Sequence, residues 1–200
     1  MKRAELFHPR VFTDSDWSLG YYKRNARNIK MVGQRFAGLL KSSGFSGTTV
    51  LDTGCGFGAV PIEIARAFPG VRITGVDLSE PLLEMARSFA EKEGVSDRIV
   101  FSTGDVHSLE FPDNSFDLTV NTFMLHVVED PVAMLNELER VTRDDGRIMI
   151  TDLRRIWLGA VVRKLKTAYT LEEAVGVIGQ SRLRKGSASK GPFWWDYMVP

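Results

Sequence analysis

Val50-Leu51-Asp52-Thr53-Gly54-Cys55-Gly56-Phe57-Gly58-Ala59-Val60 reads as a short apolar strand, a turn with glycine at every second position, and the start of a helix. A strand that passes through glycines into a helix is how α/β proteins build a ligand site. Glycine serves such a turn in two ways: it takes positive φ without steric cost, and it lets a ligand approach backbone that a Cβ would shield. The helix starting near Gly58 or Ala59 brings unpaired N–H groups and a partial positive charge, which suit an anionic part of the ligand. Asp52 separates this loop from a generic phosphate loop. Its carboxylate ends the strand just before the glycines, where it suits a ligand with a cationic amine and is poorly placed beside a pyrophosphate.

Upstream, Ile29, Val32, Phe36, Leu39 and Leu40 recur at helical spacing and predict a helix from about Asn25 to Ser43, ended by Gly44. Residues 1 to 23 read as an irregular arm rich in aromatics, among them Phe7, Phe12, Trp17, Tyr21 and Tyr22. Such an arm either packs on the domain or covers the ligand. Downstream, Thr48 to Thr53 is the first strand and Ile62, Ile64, Ala65 and Phe68 mark the helix after the glycines. Arg72 to Asp77 is the second strand, and Ser79 caps a helix that Gly94 stops. Ile99 to Ser102 and Phe116 to Asn121 are the third and fourth strands. A helix opens at Asp130-Pro131, with Val132, Leu135, Leu138 and Val141 on one face; Asp144-Asp145-Gly146 is a turn, and Arg147 to Thr151 is the fifth strand.

Leu153 to Leu165 reads as an amphipathic basic helix, and Thr170-Leu171-Glu172-Glu173 matches a capping box. Ser181 to Ala188 and Pro192 to Val199 read as a final antiparallel strand pair. Strands alternating with helices predict an α/β fold: a seven-stranded, mostly parallel sheet with helices on both faces and an antiparallel C-terminal pair. With no internal repeat or linker, the chain divides into an N-terminal arm and helix over residues 1–47 and one globular unit over 48–200. Asp52, Asp77, Asp105 and Asn121 all fall at or just past strand ends, the edge where ligands of parallel sheets bind.

The chain has 200 residues and a formal net charge of +1, which gives no overall case for nucleic acid or an anionic membrane as partner. Cys55 is the only cysteine, so an intramolecular disulfide is excluded and a cysteine metal cluster is not expected. The first residues lack a signal-peptide core and no segment approaches a membrane span, so a reducing cytoplasm is the expected compartment.

In order and spacing, these residues resemble the class I S-adenosylmethionine-dependent methyltransferases, in particular the branch with small-molecule and ubiquinone/menaquinone-type enzymes. Asp52-x-Gly54-x-Gly56-x-Gly58, Asp77 ending the second strand, Gly104-Asp105-Val106 and Phe116-Asp117-Leu118 to Asn121 match the family's successive motifs. Leu125-His126-Val127 and Arg140-Val141-x-x-Asp144-Asp145-Gly146-Arg147 have that branch's look. The resemblance covers roughly residues 48 to 152 and implies a Rossmann-like fold and S-adenosylmethionine as cofactor, with S-adenosylhomocysteine as product. It implies that Gly54, Cys55 and Gly56 approach the methionine and ribose and that Asp52 favours the ammonium. Asp77 would take the ribose hydroxyls, with Gly104, Asp105 and Val106 at the adenine and Leu78 and Val106 on its faces. Asn121, Thr122 and Phe123 would line the mouth where the methyl group meets its acceptor. Methyl transfer needs alignment and exclusion of water more than covalent chemistry. His126 is the candidate general base where the acceptor must lose a proton, its alternative being a fixed packing or hydrogen-bonding residue.

Two other readings stand beside this one. Gly54-x-Gly56-x-x-Ala59 with Asp77 also satisfies the dinucleotide fingerprint of an NAD(P)-dependent oxidoreductase. Against it stand Asp52 beside a pyrophosphate and the absence of a Tyr-x-x-x-Lys pair past the fourth strand. A cofactor-binding partner subunit without catalysis would keep the same loop and aspartates. For the acceptor, Asn121-Thr122-Phe123-Met124 is not the Asn-Pro-Pro-Tyr type used on amide or adenine amino groups, which favours a small molecule. The basic helix at 153–165 reads as a lid, a lipid-surface or RNA contact, or a solvated face.

Overall fold

The computed structural model describes residues 14–156 and 166–200. They form two compact units, residues 14–106 and residues 107–156 with 166–200.

In the first unit, helix α1 spans Ser15–Ser42. It starts well before Asn25, because the Asp14 carboxylate caps it by accepting the Trp17 N–H at 3.0 Å. Residues 15 to 23, expected to be irregular, are therefore its opening turns; residues 1 to 13 lie outside the described residues. The buried stripe of α1 includes Gly33, Phe36, Ala37 and Leu40. Gly33 carries no apolar signal in the sequence, yet a Cβ there would stand 2.3 Å from the Ala59 carbonyl oxygen. Its bareness is what lets α1 lie against the next helix.

Strand β1 (Thr49–Thr53) leads through the glycines into α2 (Ala59–Ala67). Strand β2 (Arg72–Asp77) is followed by α3 (Glu80–Lys92), whose N-cap is Ser79, and then by β3 (Ile99–Thr103). The pairings β1–β2 and β2–β3 are parallel, with Asp52 opposite Gly75 and Asp77 opposite Thr103. Val50, Leu51, Ile64, Ile73 and Leu83 are buried between these layers, so the apolar residues that mark the strands and helices in the sequence are the ones removed from water.

In the second unit, β4 (Phe116–Thr122) is followed by α4 (Pro131–Val141), capped by the Asp130 carboxylate. Strand β5 (Thr142–Leu153) follows without a break. The predicted turn Asp144-Asp145-Gly146 is a bulge inside this one long strand: Phe116 pairs with Thr142, and the next pair is Leu118 with Arg147. Helix α5 (Leu171–Ile178) opens on the expected capping box, with Thr170 and Glu173 each accepting the other's backbone N–H.

Two further elements differ from expectation. Leu153 ends β5, and Arg154 bridges to Tyr169. The N–H groups of Arg154 and Arg155 donate to the carbonyls of Phe193 and Tyr169, at 2.8 and 2.9 Å. Residues 153 to 155 are thus bonded sideways and do not start the basic helix; the rest of it, residues 157–165, lies outside the described residues. The C-terminal pair is present, but its first strand, β6, is only Ser187–Lys190. Residues 182 and 184 donate their N–H groups to Asn136 and Glu139 on α4, at 2.7 and 3.0 Å, which takes them out of the ladder. Strand β7 (Trp194–Val199) pairs antiparallel with β6 and β5. The strands form one seven-stranded sheet in the order β3-β2-β1-β4-β5-β7-β6. It is mostly parallel with antiparallel C-terminal strands, as the alternation predicts.

Candidate active site

The glycine loop meets the backbone demands read from its sequence. Gly54, Gly56 and Gly58 have φ of +71, +51 and +73°, a region that side-chain-bearing residues rarely adopt. Gly58 is also hemmed in: a Cβ would lie 2.8 Å from Phe101 Cζ and 3.0 Å from Ala86 Cβ. A Cβ on Gly56 would meet nothing within 4 Å, so that peptide faces open space, as a ligand cradle requires. Cys55 turns the other way. It is buried with its Sγ beside Gly75, and burial, then the Asp52 charge, pushes its thiol pKa well up. Its backbone is bonded within the fold, the N–H to the Val76 carbonyl at 3.0 Å and the carbonyl to the Gly58 N–H at 2.9 Å, and a thiol so placed is not a nucleophile.

Asp52 is 1% exposed, and neither of its carboxylate oxygens has a hydrogen-bond partner among the described residues. Burial, and then the neighbouring Asp77 charge, holds its pKa well above the ordinary carboxylate range. A buried carboxylate without a partner is costly, and it is the feature here that asks for a cationic ligand.

Asp77 is held by the loops it joins. One oxygen accepts the Gly56 N–H at 2.8 Å and the other the Ser79 N–H at 2.9 Å. Burial raises its pKa, and the N–H groups of Ser79, Gly56 and Leu78 pull it back. The Gly104 N–H donates to the Asp77 carbonyl at 3.1 Å, tying the end of β3 to the end of β2. A second tie comes from Glu80, which accepts the Thr103 hydroxyl and the Arg87 guanidinium, each at 2.6 Å. Asp105 is exposed and Val106 buried. Leu78 is 66% exposed, an unusual position for leucine that suits a flat ligand face. The structure thus gathers Asp52, the glycine loop, Asp77, Leu78 and Gly104 to Val106 at one end of β1, β2 and β3.

Helix α1 reaches the loop as well. The Tyr22 ring stacks on Phe89 at 4.4 Å and lies 5.4 Å from Phe57 of the glycine loop, while Tyr21 stacks on Phe57 at 6.1 Å. In the described part of the aromatic arm, Tyr21 and Tyr22 thus pack beside the loop.

The second unit carries the remaining candidates. Asn121 is buried at the end of β4, with its Nδ2 3.5 Å from Met134 Sδ, and Thr122 is half-buried. Phe123 has φ of +59°, a conformation that costs a non-glycine residue about 1–2 kcal/mol; its N–H donates to the Thr151 carbonyl at 2.8 Å. His126 is buried, and its Nδ1 lies 2.6 Å from Asp152 Oδ1. The other Asp152 oxygen accepts the His126 N–H at 2.9 Å. Sequence reasoning missed Asp152, although it sits in the last turn of a strand pattern like the other aspartates.

A parallel-sheet α/β fold with a glycine loop, an unpartnered buried carboxylate and a second strand-end aspartate defines a protein that binds a nucleoside-containing cofactor with a cationic head. The profile of the methyltransferase domain family matches residues 45–191, and the chain belongs to that family. This sets aside the oxidoreductase reading. A 27-O-demethylrifamycin SV methyltransferase of Amycolatopsis mediterranei is 37% identical over 118 residues, 59% of this chain and 42% of that protein. A ubiquinone/menaquinone biosynthesis C-methyltransferase of Bdellovibrio bacteriovorus is 35% identical over 119 residues, 59% of this chain and 50% of that protein. The chain spans about half the length, or less, of these curated relatives. Among solved structures, an S-adenosyl-L-methionine-dependent methyltransferase described as putative, from Methanococcus maripaludis, superposes with a TM-score of 0.77 at 18% identity, covering 98% of this chain and 96% of that one. One from Aquifex aeolicus gives 0.70 at 21%, covering 86% and 96%. At those identities the structures speak for the fold.

The family is S-adenosylmethionine-dependent, and the residues present fit that cofactor. Asp52 offers an unsatisfied carboxylate to an ammonium, Gly56 an open backbone, and Asp77 a fixed acceptor for hydroxyl donors. Among the described residues no helix is long and apolar enough to cross a membrane.

Proposed function

We propose that the chain transfers a methyl group from S-adenosylmethionine to a small-molecule acceptor by in-line displacement. The observation that carries the cofactor half is the Asp52 carboxylate, buried and unpartnered beside the glycine loop. The bound cofactor supplies a methyl group already activated on a sulfonium. The protein's own tasks are then binding, orientation and exclusion of water. Asp52 holds the ammonium, the Gly54 to Gly58 backbone lies along the methionine and ribose, and Asp77 accepts from the ribose hydroxyls. Asp105 accepts from the adenine amine, the Val106 N–H donates to the ring, and Leu78 covers one face. Asn121, Thr122 and Phe123 line the acceptor mouth, and residues 48–200 are the methyltransferase unit with 1–47 as its cap.

Three observations favour a small-molecule acceptor. Asn121-Thr122-Phe123-Met124 lacks the paired prolines suited to an amide or adenine amine, and the net charge is only +1. The two curated relatives are named for rifamycin and quinone substrates. Calorimetry tests the cofactor: S-adenosylhomocysteine should bind in the micromolar range and NADH not at all. Tight NADH binding without a response to S-adenosylhomocysteine would sink the assignment. A structure with S-adenosylhomocysteine tests the acceptor class through the cavity beside the sulfur, where a wide basic groove would speak against a small molecule.

A further inference from the structure

We propose that the outer face of α1 docks on an anionic lipid surface. The proposal does not use the cofactor site and stands whether or not the methyltransferase reading holds.

The charge of the chain is unevenly placed. Of its 26 Lys and Arg residues, six lie on α1: Lys23, Arg24, Arg27, Lys30, Arg35 and Lys41. Of its 25 Asp and Glu residues, α1 carries Asp16 alone. The helix therefore bears +5 and the remainder of the chain −4, a division that the net charge of +1 conceals. A solvated helix face ordinarily mixes the signs, with acids three or four residues from the cations they support. Asp16 has no cation within that reach, so α1 holds no such pair. Glu63 and Glu93, which border the same groove as Lys30, are engaged by Arg66 at 3.4 and 3.0 Å.

The inner side of α1 is taken. Ser18, Gly33, Phe36, Ala37 and Leu40 are buried, and Tyr21 and Tyr22 pack beside the glycine loop. Lys23, Arg24, Arg27, Lys30 and Lys41 are all exposed. From Lys23 to Lys41 they cover about 27 Å of helix axis, at about 1.5 Å per residue. Beside them Trp17, Leu19 and Met31 are also exposed, by 51, 42 and 55%. Large apolar side chains set among cations suit the boundary of a bilayer. A Trp ring sits at the headgroup level, Leu and Met enter the edge of the acyl region, and flexible Lys and Arg stems carry their charges to the phosphates. A nucleic-acid groove would satisfy the cations but leave Leu19 and Met31 in water. Docking by this face keeps the glycine loop, packed by Tyr21 and Tyr22 of the same helix, close to the lipid surface.

Co-sedimentation of the full chain with lipid vesicles tests the proposal. Vesicles of equal parts phosphatidylglycerol and phosphatidylcholine should bind the protein, and vesicles of phosphatidylcholine alone should not. Binding should fall as added salt screens the cations. Each cation near such a surface contributes about a fivefold factor in partitioning, so Arg24→Gln with Arg27→Gln should weaken binding about 25-fold. Trp17→Ala should weaken it at least about threefold, by loss of the interfacial anchor. Lys185→Gln with Lys190→Gln removes two exposed cations from the tail and should change binding less than about twofold, because cations away from the surface are screened. Glutamine is as good a helix former as arginine, so the Tm of the α1 variant should hold. Equal binding to both kinds of vesicle, no binding to those with phosphatidylglycerol, or equal losses in the two double variants would overturn the proposal. So would tighter binding to an RNA oligonucleotide that is lost in Arg24→Gln with Arg27→Gln and kept in Trp17→Ala, a result that gives the face to nucleic acid. Titration of the same protein with S-adenosylhomocysteine reads the cofactor assignment separately, so neither failure hides the other.

Discussion

Replacing Asp52 by Asn should move stability and cofactor affinity in opposite directions. The side chain is 1% exposed, and neither oxygen has a partner among the described residues. Its folded pKa is raised by burial and by Asp77. A raised pKa means that the group's contribution to stability is fully present below its unfolded value. That contribution is lost as pH rises through the folded value. Near neutral pH the free protein therefore bears either a buried charge or the cost of protonating it. Asparagine keeps the shape and removes that cost, although its amide still lacks partners. The expected gain is on the order of 1–2 kcal/mol, or a rise in Tm of roughly 2–8 °C for a chain of this size. On the function proposed above, the same change removes the charged partner of the cofactor's ammonium, worth about 1.5–3 kcal/mol, so affinity for S-adenosylhomocysteine should fall about 10- to 150-fold. Scanning calorimetry without ligand and titration calorimetry with S-adenosylhomocysteine measure the two effects. Wild type should also gain stability relative to the variant as the pH is lowered. A lower Tm together with unchanged affinity would show that Asp52 has a structural role and refute the reasoning.

Asp77→Ala should weaken S-adenosylhomocysteine binding at least about tenfold, because it removes the acceptor that fixes Gly56 and Ser79; unchanged affinity in a folded variant would take Asp77 out of the site. Gly58→Ala places a Cβ 2.8 Å from Phe101 Cζ at a φ of +73°. It should cost about 1–3 kcal/mol, read as a lower denaturant midpoint at unchanged slope. Thr170→Ala breaks the capping box of α5 and should cost about 1 kcal/mol, seen as a small fall in Tm with S-adenosylhomocysteine affinity unaltered.

The fold was legible where apolar periodicity and turn chemistry agreed. Ser79, Asp130 and Thr170 each cap the helix their sequence announces. The failures have local causes. The sequence reading starts α1 too late because aromatics in its first turns look like an arm. The tail strand was overlong because side chains of α4 capture the backbone of Arg182 and Arg184. Such side-chain-to-backbone bonds join residues about 45 positions apart, a pairing that no local pattern can express.

The candidate site divides along the same line. Glycine spacing and strand-end aspartates are local signals, and they led to the loop, Asp52 and Asp77. What they could not carry is the state of each carboxylate. Asp52 and Asp77 look alike in sequence, each closing a strand. In the fold Asp77 accepts N–H groups on both oxygens, while Asp52 accepts none among the described residues. Neutral hydroxyl donors can join bonds already made at Asp77, because each carboxylate oxygen has more than one acceptor site. No described residue donates to Asp52, so a ligand can supply its donor, and a positive one does so best. A pyrophosphate would add negative charge to the same floor. On the function proposed above, the two aspartates would thus divide the cofactor between them, the partnered one for a neutral sugar and the unpartnered one for a cation.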